Sequence, residues 1–171
     1  MSPPIRRREV TGGLALALLT SAPLPALAPQ PKESAVIAGK WMYRSYLNNP
    51  APVGGDPKRA AGNIFGEGIF TLVTPTPATL TGTFDMGGGL VLDLAGKVTT
   101  VPEGLATFEI AGLGRAGTDT EGWEYDYYGW PAYMWPAGVN QVPSLVGTVL
   151  RAKPHGGGKA GVTASFIAVR Q

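Results

Sequence analysis

Seven of the chain's ten Trp and Tyr residues fall between Gly122 and Gly138, in the stretch GWEYDYYGWPAYMWPAG. They are Trp123, Tyr125, Tyr127, Tyr128, Trp130, Tyr133 and Trp135. Rings at this density can stack on flat apolar molecules or sugar rings, or surround a quaternary amine by cation–π attraction. Trp123, Tyr125 and Tyr127 alternate with Glu124 and Asp126. An extended backbone therefore places the three rings on one side and the two carboxylates on the other. The same rings would also serve as the core of a small barrel, since eight strands enclose little more than their own side chains. Pro131 and Pro136 are expected to end this strand and to make residues 130–143 an irregular loop carrying Trp130, Tyr133 and Trp135. Rings held rigidly in loops tend to be contact residues. Trp123, Tyr125, Tyr127, Trp130, Tyr133 and Trp135 are thus the candidate ligand-binding residues.

Catalytic chemistry finds less support. His155 is the only histidine and there is no cysteine. One imidazole can ligate haem or act as a general base, but a zinc or copper site needs further His or Cys ligands. No metal and no cofactor is expected, and His155, within Lys153-Pro154-His155-Gly156, reads as a solvated turn residue. Glu124 and Asp126 resemble a carboxylate pair fit for acid–base work, yet the alternation turns them away from the rings. The glycine runs Gly87–Gly89 and Gly156–Gly158 lack the strand-to-helix setting of a phosphate loop and read as hairpin turns. No serine stands in a nucleophile elbow.

The elements that must position these residues are strands. Period-two alternation runs through Lys40–Leu47, through the segment after Phe65, and through Leu80-Gly82-Phe84, Leu90-Leu92-Leu94 and Ala106-Phe108-Ile110. It returns in the aromatic stretch, in Leu145–Arg151 and in Val162–Arg170. Gly- and Pro-rich turns separate the runs, and residues 48–63 form a long loop. No helical period stands out beyond the first 28 residues. About eight short strands joined as simple hairpins predict an all-β, antiparallel up-and-down barrel, with a β-sandwich as the alternative. Mid-strand Gly82 and Gly147 suit the coiling of a small barrel, and closure removes exposed edges.

The first 28 residues have the form of an export signal. Arg6, Arg7 and Arg8 precede a short apolar run, Gly12–Thr20, followed by Pro23, Pro25 and the Ala26-Leu27-Ala28 processing pattern. That run is shorter than the roughly 20 residues a membrane span requires. Arg7-Arg8 resembles a twin-arginine signal. The division expected is a signal over 1–28, a flexible lead-in over 29–38 and a barrel domain over 39–171, secreted or periplasmic. Of 14 basic and 12 acidic residues, three Arg and Glu9 lie in the signal, so the remainder carries 11 of each sign. A neutral domain without a basic stripe makes nucleic acid an unsuitable partner.

Gly39-Lys40-Trp41, at the head of the first strand, resembles the G-x-W signature of the calycins, the lipocalin and avidin group of small barrels. The resemblance implies that Trp41 packs across the barrel base under a basic residue of the last strand, the position of Arg170. The hairpin Gly68–Phe84 is similar to an early avidin hairpin, but Phe84 and Met86 stand where the avidin Tyr-x-Ser would fall, so no biotin site is implied. The expected function is non-catalytic binding of a small apolar or aromatic molecule or a glycan. The alternatives are an accessory subunit of a co-exported protein, and a barrel cyclase or isomerase using Tyr125 or Tyr127 with a carboxylate.

Overall fold

The computed structural model describes residues 37–49, 51–100, 106–135 and 137–171. The expected signal and most of the lead-in lie outside the described residues. The strands are β1 (Gly39–Leu47), β2 (Ile64–Thr76), β3 (Thr79–Asp85), β4 (Val91–Thr99), β5 (Thr107–Gly114), β6 (Glu124–Pro131), β7 (Ser144–Arg151) and β8 (Thr163–Arg170). Each pairs antiparallel with its sequence neighbour, and β1 pairs with β8 from Trp41↔Arg170 to Leu47↔Ala164. The fold is thus a single closed up-and-down barrel, consistent with a calycin-like architecture. Two features depart from the sequence reading. The 48–63 loop contains a one-and-a-half-turn helix, α1 (Pro57–Gly62), with Asp56 capping Lys58 N–H and no buried residue. It is too short for hydrophobic periodicity to register. The loop expected from Trp130 begins only after Pro131, because Trp130 still pairs with Val146 and Pro131 with Leu145. A proline is tolerated as a terminal strand residue.

Up-and-down topology gathers the β1–β2, β3–β4, β5–β6 and β7–β8 connections at one end, here the mouth. The β2–β3 connection and the described part of the β6–β7 connection gather with Gly39 and Arg170 at the base. The base is sealed. Trp41 is fully buried, its indole N–H donates to the Ile37 carbonyl at 2.9 Å, and the Arg170 guanidinium lies 4.7 Å from its ring centre. Arg170 Nη2 also donates to the Ala38 carbonyl at 2.8 Å. Ile37 and Ala38, assigned by the sequence division to the lead-in, therefore belong to this seal.

Above Trp41 the interior is solid. Tyr43, Phe70, Phe84, Tyr127 and Phe166 form a cluster of contacting rings, with centroids from 4.6 Å (Tyr43–Phe70) to 6.4 Å (Tyr127–Phe166). Edge and tilted contacts of this kind add about 0.5–1.5 kcal/mol per pair beyond the burial of apolar area. Glycines make room for so many rings. Gly129 faces Gly147 across β6–β7, and a Cβ on Gly129 would press into the Phe108 and Phe166 rings. A Cβ on Gly82 would strike the Thr71 carbonyl of β2.

Candidate functional site

β6 carries its side chains alternately inward and outward, and this divides the aromatic stretch into three places. Tyr125 and Tyr127 point inward, while Glu124, Asp126, Tyr128 and Trp130 point outward. Tyr127, only 3% exposed, sits in the central ring cluster between Tyr43, Phe70, Phe84 and Phe166. Burial is the main cause that raises its phenol well above the ordinary value, and the Tyr43 and Tyr125 phenols raise it further. Burial likewise raises the Tyr43 phenol, opposed by a hydrogen bond with Ser45. Both remain neutral phenols at ordinary pH.

Trp123 and Tyr125 occupy the mouth. There the two glycines Gly156 and Gly157, both at positive φ, allow the tight turn that bridges His155 to Gly158. His155 N–H donates to the Gly158 carbonyl at 3.1 Å, and Gly158 N–H returns a bond of 2.8 Å. The turn folds the imidazole flat onto Trp123, with centroids 4.0 Å apart and planes 17° apart, and edge-on to Tyr125 at 5.2 Å. His155 is therefore not the solvated turn residue expected from its glycine surroundings. Its Nε2 is shielded from solvent and has no hydrogen-bond partner. Burial lowers its pKa, and the nearby Arg151 charge lowers it further. Arg151 ends the inward-facing series Leu145, Gly147, Val149 and lies 5.0 Å over the Phe65 ring, which in turn meets Tyr125 edge-on at 6.1 Å. Phe65 and Arg151 were not among the candidates. The in-phase position of Arg151 on its strand was the available signal.

Trp130, Tyr133 and Trp135 lie at the base end, outside the barrel. Trp130 meets Tyr128 edge-on at 6.1 Å on the outer face of β6, and Tyr133 meets Trp135 at 5.1 Å and 87° in the loop. The loop is braced. Trp135 N–H donates to Gln141 Oε1 at 2.7 Å, Gln141 Nε2 donates to the Trp135 carbonyl at 2.6 Å, and Gly138 N–H donates to that same carbonyl. Tyr133 and Trp135 nevertheless remain 59% and 69% exposed, beside exposed Met134, Val139 and Val142. Residues 127–150 contain no Asp, Glu, Lys, Arg or His. Across the barrel wall, Trp130 continues into Val146 and Ile167 in register. Beside Tyr128, a shallow groove of about 590 Å³ crosses the outer face of β4–β7 over Ala95, Ala111 and Thr148.

The carboxylates stay outside. Glu124 pairs with Lys153 at 2.6 Å, and Asp126 is exposed at the rim of the outer groove. Among the described residues the buried polar side chains apart from tyrosine are Ser45 and Thr120. No group of three or more His, Asp or Glu that could hold a metal occurs among them. No helix of the described residues is long and apolar enough to cross a membrane. Comparison with protein-family models, with curated proteins and with solved structures finds no match.

Proposed function

We propose that the protein is an exported, non-catalytic binding module whose working surface is the ring-bearing outer base, and that its target is another protein. One observation carries this reading: the Gln141 side chain braces the backbone at Trp135 while leaving the indole largely in water. A large apolar ring held out in this way costs solvation and gains nothing for the fold, whereas a prepaid conformation favours association. The composition of the patch agrees. Protein contact cores are rich in Trp, Tyr and Met and poor in charge, and Trp130, Tyr133, Met134 and Trp135 sit in an uncharged tract. The accessory-subunit alternative raised by the sequence is thus the favoured one. Sugar recognition has weaker support, because Gln141 spends its amide on the loop and the flanks are Val139 and Val142. A tyrosine–carboxylate enzyme site has none, because Glu124 and Asp126 face outward.

The test is site-specific photo-crosslinking in the producing cells. A crosslinker at position 135 is expected to give one discrete protein adduct, and one at Asp56 in the mouth-side loop none. Sedimentation of the purified chain tells whether the partner is a second copy. Absence of an adduct at 135, with retardation in polysaccharide gels that Trp135→Ala abolishes, would replace the protein target with a glycan.

A further inference from the structure

We infer that the partner's footprint runs from the Trp135 loop up the outer face of β6 into the groove beside Tyr128, and that it sets an arginine side chain there against Asp126. The inference rests on the protein-binding reading of the base and extends it. A specific interface takes roughly 20–30 residues a side, more than the connection between β6 and β7 supplies, so the contact has to continue over the wall. One path is built in. Outward-facing Trp130, Tyr128 and Asp126 follow one another along β6 at about 7 Å per step, and the Trp130 and Tyr128 rings meet edge-on at 6.1 Å. Beyond Tyr128 the wall is hollowed because the residues in register are small: Ala95 pairs with Ala111, and Ala111 with Asp126. They floor the groove of about 590 Å³.

Charge selects the occupant. Of the strand carboxylates, Glu67 pairs with Arg44, Asp93 with Arg115, Glu109 with Lys97 and Glu124 with Lys153, while Asp85 accepts the Gly87 N–H. Among the described residues, Asp126 is the strand carboxylate left with no ion pair. Its neighbours in register are Ala111 and Leu150, neither of them polar. Lys97, Glu109 and Asp126 all line the groove, which leaves it one negative charge in excess. A cation on an aliphatic stem fits this arrangement. The stem covers Ala95 and Ala111, and the head reaches Asp126 beside the Tyr128 ring. Arginine suits the place better than lysine, because its planar guanidinium gives a carboxylate two hydrogen bonds and also stacks on an aromatic face. A charge pair at the margin of an uncharged aromatic loop matches the polar rim and apolar centre of protein interfaces.

A photo-crosslinker at position 111, on the groove floor, is expected to give in the producing cells the same adduct as one at position 135, and the peptide attached at 111 to contain an arginine. One at Val73, exposed on β2 across the barrel, is expected to give none. In cell extract, Asp126→Asn is expected to cut the adduct yield at 135 by about threefold or more. Raising sodium chloride from about 50 mM to about 500 mM should lower the yield of the parent and leave that of Asp126→Asn nearly level. Asp126 is exposed and the substitution nearly isosteric, so the variant should melt with the parent. An adduct at 135 with none at 111, an attached peptide without arginine, or an Asp126→Asn yield equal to the parent's would overturn this inference and leave the reading of the base standing. No adduct at 135 would overturn that reading and this inference with it.

Discussion

The two ends of β6 carry rings of the same kind into opposite circumstances. At the mouth, Trp123 and Tyr125 pack against the imidazole of His155, whose Nε2 is shielded, while the Arg151 guanidinium lies over Phe65. At the base, Tyr133 and Trp135 face water within a tract, residues 127–150, that contains no charged side chain. A strand of eight residues separates them, about 26 Å at the usual rise. The rings between point alternately into the packed core and out to the wall. Composition alone merges these places into one aromatic block. The strand's period and its two ends separate a core, a mouth that holds Arg151 and His155, and an exposed aromatic loop in an uncharged tract.

The sharpest way to break the comparison is to remove one ring from each region and measure stability by chemical denaturation. Tyr127→Ala deletes a ring from the central cluster and is expected to cost about 3–5 kcal/mol, the range for buried aromatic truncations. Trp135→Ala should stay within about 0.5 kcal/mol, as for other exposed positions. If Trp135→Ala costs as much as Tyr127→Ala, the loop is structural and no longer a candidate contact surface.

The barrel was legible because its strands alternate cleanly and its turns are marked by glycine and proline. The inward placement of Tyr125 and Tyr127 and the outward placement of Glu124 and Asp126 followed from that period. So did the position of Arg170 over Trp41, reached through the G-x-W resemblance. What was hidden depends on contacts between distant residues. Nothing local to His155 says that its glycine turn folds back onto Trp123, because Gly156 and Gly157 allow many paths and only the barrel selects one. Nothing near Trp135 announces Gln141 as its brace. Arg151 was visible in phase with Leu145 and Val149, but a cation at a strand end usually reaches solvent. The strand reached Pro131 because its partner residue, Leu145, continues the pairing that proline itself cannot signal.

A second prediction concerns alkaline conditions and the core alone. The folded-state phenols of Tyr43 and Tyr127 are both raised, mainly by burial. An acid raised in the folded state contributes stability that is complete below its unfolded value, about 10, and is lost as pH climbs above it. The melting temperature should fall steeply between pH 10 and 11, and Tyr127→Phe should flatten that fall. A profile unchanged by Tyr127→Phe would mean that the phenol reaches water and that the interior is less solid than its ring contacts indicate.

The mouth should respond at the opposite end of the scale, and more weakly. The folded-state pKa of His155 is lowered by burial and by Arg151. The unfolded chain therefore binds its proton first, so stability is complete above about pH 6.5 and declines as pH falls through the folded value. His155→Gln should remove this decline, read as the difference between the two melting profiles from pH 7.5 to 5. Trp135→Ala should leave the profile of the parent intact, since no ionisable group other than tyrosine lies near it in the 127–150 tract.

A small effect on stability also bears most directly on the base. Gln141→Ala removes both hydrogen bonds that brace the Trp135 backbone. They lie in an exposed loop, where water replaces them readily, so the loss in stability should be below about 1 kcal/mol. The effect should appear instead in order. Fluorescence anisotropy decay of the indole, measured with Trp135 as the sole remaining exposed reporter, should gain a faster component. Partner association should weaken by about two- to tenfold, equal to the roughly 0.5–1.5 kcal/mol needed to immobilise one large side chain on binding. If Gln141→Ala loosens Trp135 yet leaves association intact, the partner does not depend on a preset indole. The working surface then shifts from the loop to the strand face of Trp130, Val146 and Ile167.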